Sequence, residues 1–261
     1  MRATPIHPEG GRYAAPLLFL PGLWSRPRSF DLLAGYLAHR GWAGWLLDVG
    51  EVRGGVAARI DAVVAHAGTL ASPPVLIGHD LGALIALAAS RRRRDVAACL
   101  VMLAPLVPGE TPVAGLLWRW NAIAALLLGR DVPPPSAAQA SAIWGQRPPA
   151  GLLTPERADV VLDVARARVT AEPARVPALC VGGAADPLLP PAAARGFAAR
   201  MGADHREVAA AAHFAHVGAR WRTLADVVHR WLVTRLGEPL LETYADAMAE
   251  RDADDDEPTK T

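Results

Sequence analysis

The residues with the clearest chemical potential form a pentapeptide, Gly78-His79-Asp80-Leu81-Gly82, in which a carboxylate stands between two glycines. A short apolar run, 75–77, precedes it, and an apolar, alanine-rich segment, 83–89, follows it. This pattern predicts a strand that turns sharply into a helix and presents the central side chain at the turn. The glycines are needed because backbone approaches backbone closely in so tight a turn. Asp80 is therefore the candidate nucleophile.

The carboxylate at this position limits the reactions that are chemically reasonable. A serine in the same turn would attack acyl carbon, whereas a carboxylate attacking acyl carbon would form an unstable anhydride. On saturated carbon the same carboxylate forms an ordinary ester. The sequence therefore favours epoxides or alkyl halides as substrates and disfavours common esters and peptides.

Two further side chains are candidates for the second half of such a reaction, which needs a base and a group that orients the base. Asp186 lies in the loop after the apolar run 178–182, and His213 follows a short predicted strand near 205–208. We expect His213 to activate water and Asp186 to orient its imidazole. His216 is the competing histidine, with a helix-capping or surface position as its alternative role.

A negative charge that develops at the nucleophile needs hydrogen-bond donors. One donor should be the backbone N–H of Leu81, directly after Asp80. The other should come from the loop 20–24, Leu-Pro-Gly-Leu-Trp, with the N–H of Leu23 as the donor. His79, directly before the nucleophile, is expected to pack or orient rather than react.

The eight tryptophans of the chain fall into two groups. Those that follow strand or helix patterns are expected in the core: Trp42, Trp45, Trp221 and Trp231. Those in the loop 20–24, called the oxyanion loop below, or in the irregular central segment are expected to line a substrate pocket: Trp24, Trp118, Trp120 and Trp144.

The arrangement of apolar runs predicts the architecture that must position these residues. Apolar runs alternate with helical patterns on both sides of residues 105–173, which predicts a mainly parallel sheet flanked by helices. Within 105–173, proline and glycine break the chain into short apolar pieces, which indicates an inserted helical cap. We therefore expect a core of residues 1–104 and 174–237. Residues 238–261 end in an acidic stretch poor in apolar side chains, and disorder is expected there.

Composition excludes several classes of function. The 261 residues are 52% hydrophobic and carry a net charge of +1, so no strong field favours nucleic acid or an anionic membrane. No apolar run reaches the ~18 residues of a membrane span, and the N-terminus lacks the apolar stretch of a signal peptide. The two cysteines, Cys99 and Cys180, lie in apolar runs and are expected to be buried and reduced. We expect a cytoplasmic protein without a metal or organic cofactor, acting on a small hydrophobic molecule.

Residues 17–236 resemble the α/β-hydrolase superfamily, and Gly-His-Asp-x-Gly looks like the motif of its epoxide hydrolase and haloalkane dehalogenase branch. The resemblance implies a triad of Asp80, His213 and Asp186, in the chain order nucleophile, acid, histidine. His213 matches the histidine of the Gly-His-Phe position in relatives, here with Ala212 in place of glycine.

The groups that activate the electrophile in relatives are replaced here. Dehalogenases of this branch carry Trp or Arg after the nucleophile, whereas this chain has Leu81, with Leu23 in the oxyanion loop. Epoxide hydrolases use two cap tyrosines, whereas the tyrosines of this chain, Tyr13, Tyr36 and Tyr244, lie outside the cap. A hydroxyl or indole N–H could take over that role, and the cap offers Trp118, Trp120, Trp144, Ser136 and Ser141.

The interpretation we favour is an Asp-nucleophile hydrolase that opens an epoxide. Three alternatives stay open: a lyase, isomerase or cyclase that uses Asp80 as a general base, a haloalkane dehalogenase, and a small-molecule-binding relative without activity. Loss of the halide-binding tryptophan disfavours the dehalogenase, and an intact triad disfavours the inactive relative.

Overall fold

The computed structural model describes residues 1–93, 95–108, 120–166 and 170–236. The acidic segment 238–261 and most of the first part of the expected cap lie outside this range. The strands are β1 (Arg2–Ile6), β2 (Leu17–Leu20), β3 (Gly44–Asp48), β4 (Val75–His79), β5 (Cys99–Leu103), β6 (Ala178–Gly183) and β7 (Asp204–Val208). The helices are α1 (Asp31–His39), α2 (Gly55–Ala67), α3 (Leu81–Arg92), α4 (Trp120–Leu127), α5 (Ala137–Trp144), α6 (Ala158–Ala165), α7 (Pro191–Met201) and α8 (Trp221–Leu236).

The strands of the described residues form one sheet in the order β1-β3-β2-β4-β5-β6-β7. All neighbouring pairs are parallel except β1 with β3, so the mainly parallel sheet predicted from the sequence is confirmed. The central strand β4 is buried along its whole length. Because Asp80 directly follows β4, the nucleophile candidate lies at the carboxyl edge of the middle of the sheet.

Helices cover both faces of the sheet, which explains why the inner strands β2, β4, β5 and β6 are buried along their whole length. On one face, Leu18 and Leu76 pack in the cluster that holds α2, α3 and α7. On the other face, Phe19 and Ile77 pack in the cluster that holds α1 and α8. No helix in the described ranges combines the length and the hydrophobicity needed to cross a membrane.

The edge strand β1 was not predicted from the sequence. It pairs antiparallel with β3, Arg2 opposite Asp48 and Ile6 opposite Gly44, and is mostly exposed. Its residues are largely polar or small and include Pro5, a composition tolerated at a sheet edge because one side needs no ladder hydrogen bonds. A strand of this kind carries no hydrophobic pattern from which it could be identified.

The two cysteines are free and buried, as predicted. Burial raises the pKa of the Cys180 thiol to about 12. Trp42 is fully buried and Trp231 nearly so, in agreement with their expected place in the core.

Helices α4, α5 and α6 lie between β5 and β6, where the cap was expected. This inserted segment, for which we keep the name cap, contacts the core partly through two carboxylates of α6 that lie at the N-terminus of α2, a helix without a capping side chain of its own. Asp159 accepts a hydrogen bond from the N–H of Gly55 at 3.2 Å, and Asp163 accepts one from the N–H of Val56 at 3.0 Å. Anionic groups are favourable at a helix N-terminus, so these contacts stabilise the docked cap.

A buried ion pair provides the second attachment of the cap to the core. Arg59 of α2 donates two hydrogen bonds to Glu156, Nη1 to Oε2 at 3.2 Å and Nη2 to Oε1 at 2.5 Å. The two side chains are only 2% and 6% exposed. The buried charges of Arg59 and Glu156 therefore neutralise each other.

Glu156→Gln should destabilise the protein by about 3–5 kcal/mol, because it leaves the Arg59 guanidinium buried without its counter-charge. Urea unfolding at neutral pH measures the change. The matched control is Glu207→Gln, which breaks the partly exposed Arg195–Glu207 pair and should cost under ~1 kcal/mol. Equal effects of the two substitutions would contradict the structural importance of the buried pair.

Candidate active site

The turn at Asp80 has the geometry that the sequence predicts. Asp80 has φ 54° and ψ −120°, a conformation that is unfavourable for a residue with a side chain. The turn is fixed by the neighbouring strand, because Asp80 N–H donates to the carbonyl of Leu103 at 3.0 Å. A side chain at Gly78 or Gly82 would collide with backbone atoms of Gly82 or Leu20. The glycines are thus required by close backbone contact, as the motif implies.

The two oxygens of the Asp80 carboxylate have different surroundings. Oδ2 accepts a hydrogen bond from the N–H of Leu23 at 2.9 Å, and the N–H of Leu81 also hydrogen-bonds to the carboxylate. Oδ1 is buried, makes no hydrogen bond to the described part of the chain, and lies 3.9 Å from Nε2 of His213. Both donors expected from the sequence therefore converge on Asp80.

His213 is held by Asp186 on the side away from the nucleophile. Nδ1 of His213 lies 2.9 Å from Oδ2 of Asp186, while Oδ1 of Asp186 accepts the backbone N–H groups of Leu188 and Leu189 at 2.9 and 3.1 Å. A proton on Nδ1 satisfies this contact, which leaves Nε2 as the nitrogen that faces Asp80. The structure thus brings together the three residues of the expected triad, each at most 5% exposed.

The electrostatics of the triad follow from its burial. Burial raises the pKa of Asp80 to about 6, against the lowering effects of His213 and the two backbone donors. Burial alone would lower the pKa of His213, but the carboxylates of Asp186 and Asp80 outweigh it and raise the pKa above its usual value. The ionised Asp80 carboxylate and the protonated His213 imidazole therefore favour each other.

His216 does not occupy the surface or helix-capping position offered as its alternative role. It is fully buried, stacks on Phe30 with ring centroids 4.8 Å apart, and lies 4.4 Å from the ring of His79. Burial and the nearby His213 lower its pKa to about 3. The spacing of histidines in the sequence cannot reveal this, because the position depends on how the segment after β7 folds against α1. His216 is a neutral core residue, and His213 is the histidine that meets Asp80.

His79 has the orienting position expected for it. Its Nε2–H donates to the backbone carbonyl of His213 at 3.1 Å, and its ring contacts the rings of His213, Phe214 and His216. His79 thus supports the backbone that carries the histidine of the triad.

The tryptophans expected to line a pocket are placed differently from one another. Trp24 is 1% exposed, and its Nε1–H donates to the carbonyl of Val132 at 3.0 Å. Trp144 lies beside the triad, because its carbonyl accepts the N–H of His213 at 3.1 Å and its ring packs edge-on against Phe214. Trp118 and the side chain of Trp120 lie outside the described residues.

Gly22 is a functional position to which sequence reasoning gave no role of its own. A Cβ atom at Gly22 would lie 2.6 Å from Cβ and 2.8 Å from Oδ2 of Asp80. Only a glycine permits the oxyanion loop to come this close, and the single sequence feature that marks it is its place directly before Leu23.

A cavity of about 530 Å³ opens beside this loop, at the carboxyl ends of β2 and β3. It reaches Pro21 and Gly22, and half of its lining residues are charged, with both signs present, among them Arg26, Asp48 and Arg157. Within the described ranges, no group of three or more His, Cys, Asp and Glu side chains is arranged to hold a metal ion.

Comparisons with known proteins agree with this fold. The monoacylglycerol lipase of Paleococcus ferrophilus is 17% identical, with 90% of this chain and 98% of that chain covered and a TM-score of 0.64. An esterase from Thermogutta terrifontis is 15% identical, with 90% and 93% covered and a TM-score of 0.67. A lipase-esterase related protein from Clostridium acetobutylicum is 14% identical, with 88% and 99% covered and a TM-score of 0.64. At these identities the likeness establishes the α/β-hydrolase fold alone.

No curated protein matches the sequence. A family model described as the alpha/beta hydrolase family matches residues 17–227, which include the turn at Asp80, the loop of Asp186 and His213. Because this match spans most of the chain, the protein belongs to the alpha/beta hydrolase family and is an α/β-hydrolase-fold enzyme.

Proposed function

We propose that Asp80 is a covalent nucleophile that opens the epoxide of a small hydrophobic molecule. The observation that carries the proposal is that the two oxygens of the Asp80 carboxylate have different hydrogen-bond partners. Oδ2 is held by the N–H of Leu23, whereas Oδ1 is left without a hydrogen bond from the described chain and faces His213. An oxygen with no donor is the better nucleophile, because no hydrogen bond must be broken before it attacks.

In the first half-reaction, Oδ1 attacks one carbon of the oxirane, and the bond between that carbon and the epoxide oxygen breaks. The products are an ester between Asp80 and the substrate and a hydroxyl group, once the epoxide oxygen has taken up a proton from solvent. This step requires an ionised Asp80. With a pKa of about 6, the carboxyl group is mostly ionised at neutral pH.

In the second half-reaction, water attacks Cγ of the Asp80 ester and transfers a proton to Nε2 of His213. The negative charge then develops on Oδ2, which the N–H of Leu23 already contacts, and the N–H of Leu81 interacts with the same carboxyl group. Such donors are effective because they need no reorganisation when the charge appears. The bond between Cγ and Oδ1 breaks, and the proton on Nε2 passes to the departing diol. The new carboxyl group holds one oxygen from water and loses its remaining proton to solvent, which regenerates the Asp80 carboxylate.

Formation of the ester also prepares His213 for its role as a base. The Asp80 charge is one of the interactions that raise the pKa of His213. Alkylation removes that charge, so the pKa of His213 falls and its neutral form becomes accessible. The imidazole of His213 is thus a better base after the ester has formed than while Asp80 attacks.

Trp144 is the donor that we propose for the opening epoxide oxygen. It is bound through its carbonyl to His213 and carries an indole N–H. The two serine candidates are less suitable, because Ser136 and Ser141 are both exposed, Ser136 caps α5, and Ser141 donates to the carbonyl of Ala137 at 3.2 Å. Trp24 is also less suitable, since its N–H is bonded to Val132.

The raised pKa of Asp80 also favours a second candidate, general-base catalysis by this carboxylate in a lyase, isomerase or cyclase. An ester hydrolase is disfavoured, although the esterase and lipase named above share the fold. Attack by Asp80 on acyl carbon would give an anhydride, and an ester hydrolase gains nothing from that step.

A single turnover in ¹⁸O-water distinguishes the two candidates. Excess enzyme is mixed with each member of a panel of hydrophobic epoxides, such as styrene oxide, and peptides containing Asp80 are analysed by mass spectrometry. Covalent catalysis places ¹⁸O in Asp80 and leaves the first diol unlabelled, because its new oxygen comes from the carboxylate. Labelled diol with unlabelled Asp80 would show direct attack by water, with Asp80 as a general base.

A further inference from the structure

The oxyanion loop is bonded directly to the cap. Thr154 N–H donates to the carbonyl of Trp24 at 2.8 Å, and Arg26 N–H donates to the carbonyl of Leu152 at 2.9 Å. Ser25 forms an isolated antiparallel bridge with Leu153. A short ladder of backbone contacts therefore runs from residues 24–26 of the core to residues 152–154, which lie between α5 and α6.

Trp24 adds a contact to a second, separate part of the cap. Its Nε1–H donates to the carbonyl of Val132 at 3.0 Å, between α4 and α5. Trp24 has φ 57°, the left-handed region that favours glycine. A large side chain persists there only when its surroundings hold it, and here the contacts to the two cap segments supply that constraint.

Val132 is in turn fixed to the core. Its N–H and carbonyl exchange hydrogen bonds with the carbonyl and N–H of Glu156 at 2.6 and 2.9 Å. Glu156 is held by the buried Arg59 of α2. The acceptor of the Trp24 indole thus has a defined position only while the cap is docked on α2.

The residue directly before Trp24 is Leu23, the donor to Oδ2 of Asp80. A change in the backbone at Trp24 must move the N–H of Leu23, because the two residues share a peptide bond. We infer that Trp24 is a positioning residue, which holds the Leu23 N–H on Asp80 through its bond to the docked cap. The oxyanion site and the docked cap then form together.

This inference rests on the proposed function for its kinetic consequence. The N–H of Leu23 stabilises the charge that develops on Oδ2 when water attacks the ester, whereas attack by Oδ1 on the epoxide does not require it. Removing one oxyanion donor typically slows a reaction by about 10²–10³-fold. Loosening the donor should therefore slow ester hydrolysis and leave alkylation nearly unchanged.

The test compares Trp24→Phe with Trp42→Phe. Both substitutions keep an aromatic ring and remove a buried indole N–H that has a partner, Val132 for Trp24 and His229 for Trp42. Trp42 packs in the cluster on the opposite face of the sheet. We expect Trp24→Phe to hydrolyse the Asp80 ester at least ~10-fold more slowly with alkylation within threefold of wild type, and Trp42→Phe to retain both rates.

A second measurement does not depend on turnover. The titration of Asp80 is followed by carboxyl ¹³C NMR in wild type, Trp24→Phe, Trp42→Phe and Glu156→Gln. The Leu23 N–H lowers the pKa of Asp80, so the pKa should rise in Trp24→Phe and Glu156→Gln and stay constant in Trp42→Phe. If Trp24→Phe does not fold, benzothienylalanine at position 24 removes the N–H with almost no change of shape.

The outcomes test the positioning role of Trp24 separately from covalent catalysis by Asp80. An Asp80 titration and hydrolysis rate in Trp24→Phe equal to those of Trp42→Phe would reduce Trp24 to a packing residue and overturn the inference. If wild-type enzyme forms no Asp80 ester, the proposed function fails, and the Asp80 titration alone still decides whether Trp24 positions Leu23.

Discussion

His213→Gln should still form the Asp80 ester and then fail to hydrolyse it. Glutamine cannot accept a proton from the attacking water, and general-base catalysis by a positioned side chain is worth about 10²–10⁴-fold. Because Oδ2 of Asp80 is held by Leu23 rather than by His213, the nucleophile keeps its orientation. Intact-mass spectrometry after addition of an epoxide should show an adduct equal to the mass of the substrate, located on Asp80.

His216→Gln is the matched control for this result. His216 is as buried as His213, but its ring packs on Phe30 and His79 and has no contact with Asp186 among the described residues. It should therefore turn over without accumulating an adduct. An adduct in His216→Gln together with normal turnover in His213→Gln would reverse the assignment of the base.

Asp186→Asn should also slow the hydrolytic step. The Asp186 carboxylate accepts Nδ1–H of His213 and thereby fixes Nε2 toward Asp80. An amide can present its N–H instead and stabilise the wrong tautomer. The ester should then accumulate transiently rather than permanently, which stopped-flow quenching and mass spectrometry can measure.

Much of the catalytic arrangement is predictable from the sequence because its determinants are local. The turn at Asp80 is fixed by an apolar strand, two glycines and an apolar helix that are contiguous in the chain. Asp186 follows β6 directly, and the carboxyl ends of parallel strands meet at one edge of the sheet. Residues that follow different strands are therefore brought together without any knowledge of side-chain contacts.

The features that escaped prediction depend on contacts between distant segments. The bond from Trp24 to Val132 spans 108 positions, and neither residue type indicates the other as a partner. The burial of His216 follows from its packing against Phe30, which lies directly before α1 and far from His216 in the chain. Which oxygen of Asp80 accepts the N–H of Leu23 and which faces His213 depends on angles and distances that residue types do not encode.

Asp80→Asn should abolish turnover while leaving the fold intact. An amide is a poor nucleophile, and loss of a covalent nucleophile in a comparable triad removes about 10⁶-fold of the rate. No ester should form, so the double variant Asp80→Asn with His213→Gln should show no adduct. Residual slow turnover with label in the diol would indicate direct attack by water.

The same substitution should stabilise the protein above pH 6. The pKa of Asp80 rises from 3.8 to about 6 on folding, chiefly through burial, so the folded state binds the proton more tightly than the unfolded state. The ionised carboxylate then costs stability as pH rises from about 4 to 6, by about 3 kcal/mol in full for two pKa units. Asparagine cannot ionise and avoids this cost.

Urea unfolding across pH 4–8 measures the difference between wild type and Asp80→Asn. The variant should be more stable by about 1–3 kcal/mol at pH 7.5, and the gap should close as pH falls toward 4, where Asp80 is protonated in both states. Asp95→Asn is the control, because the pKa of the exposed Asp95 is shifted in the opposite direction: Arg93 lowers it. This substitution should bring no gain in stability at pH 7.5. A gap that is constant with pH would mean that the Asp80 carboxylate is not destabilised by its burial, and its reactivity would need another origin.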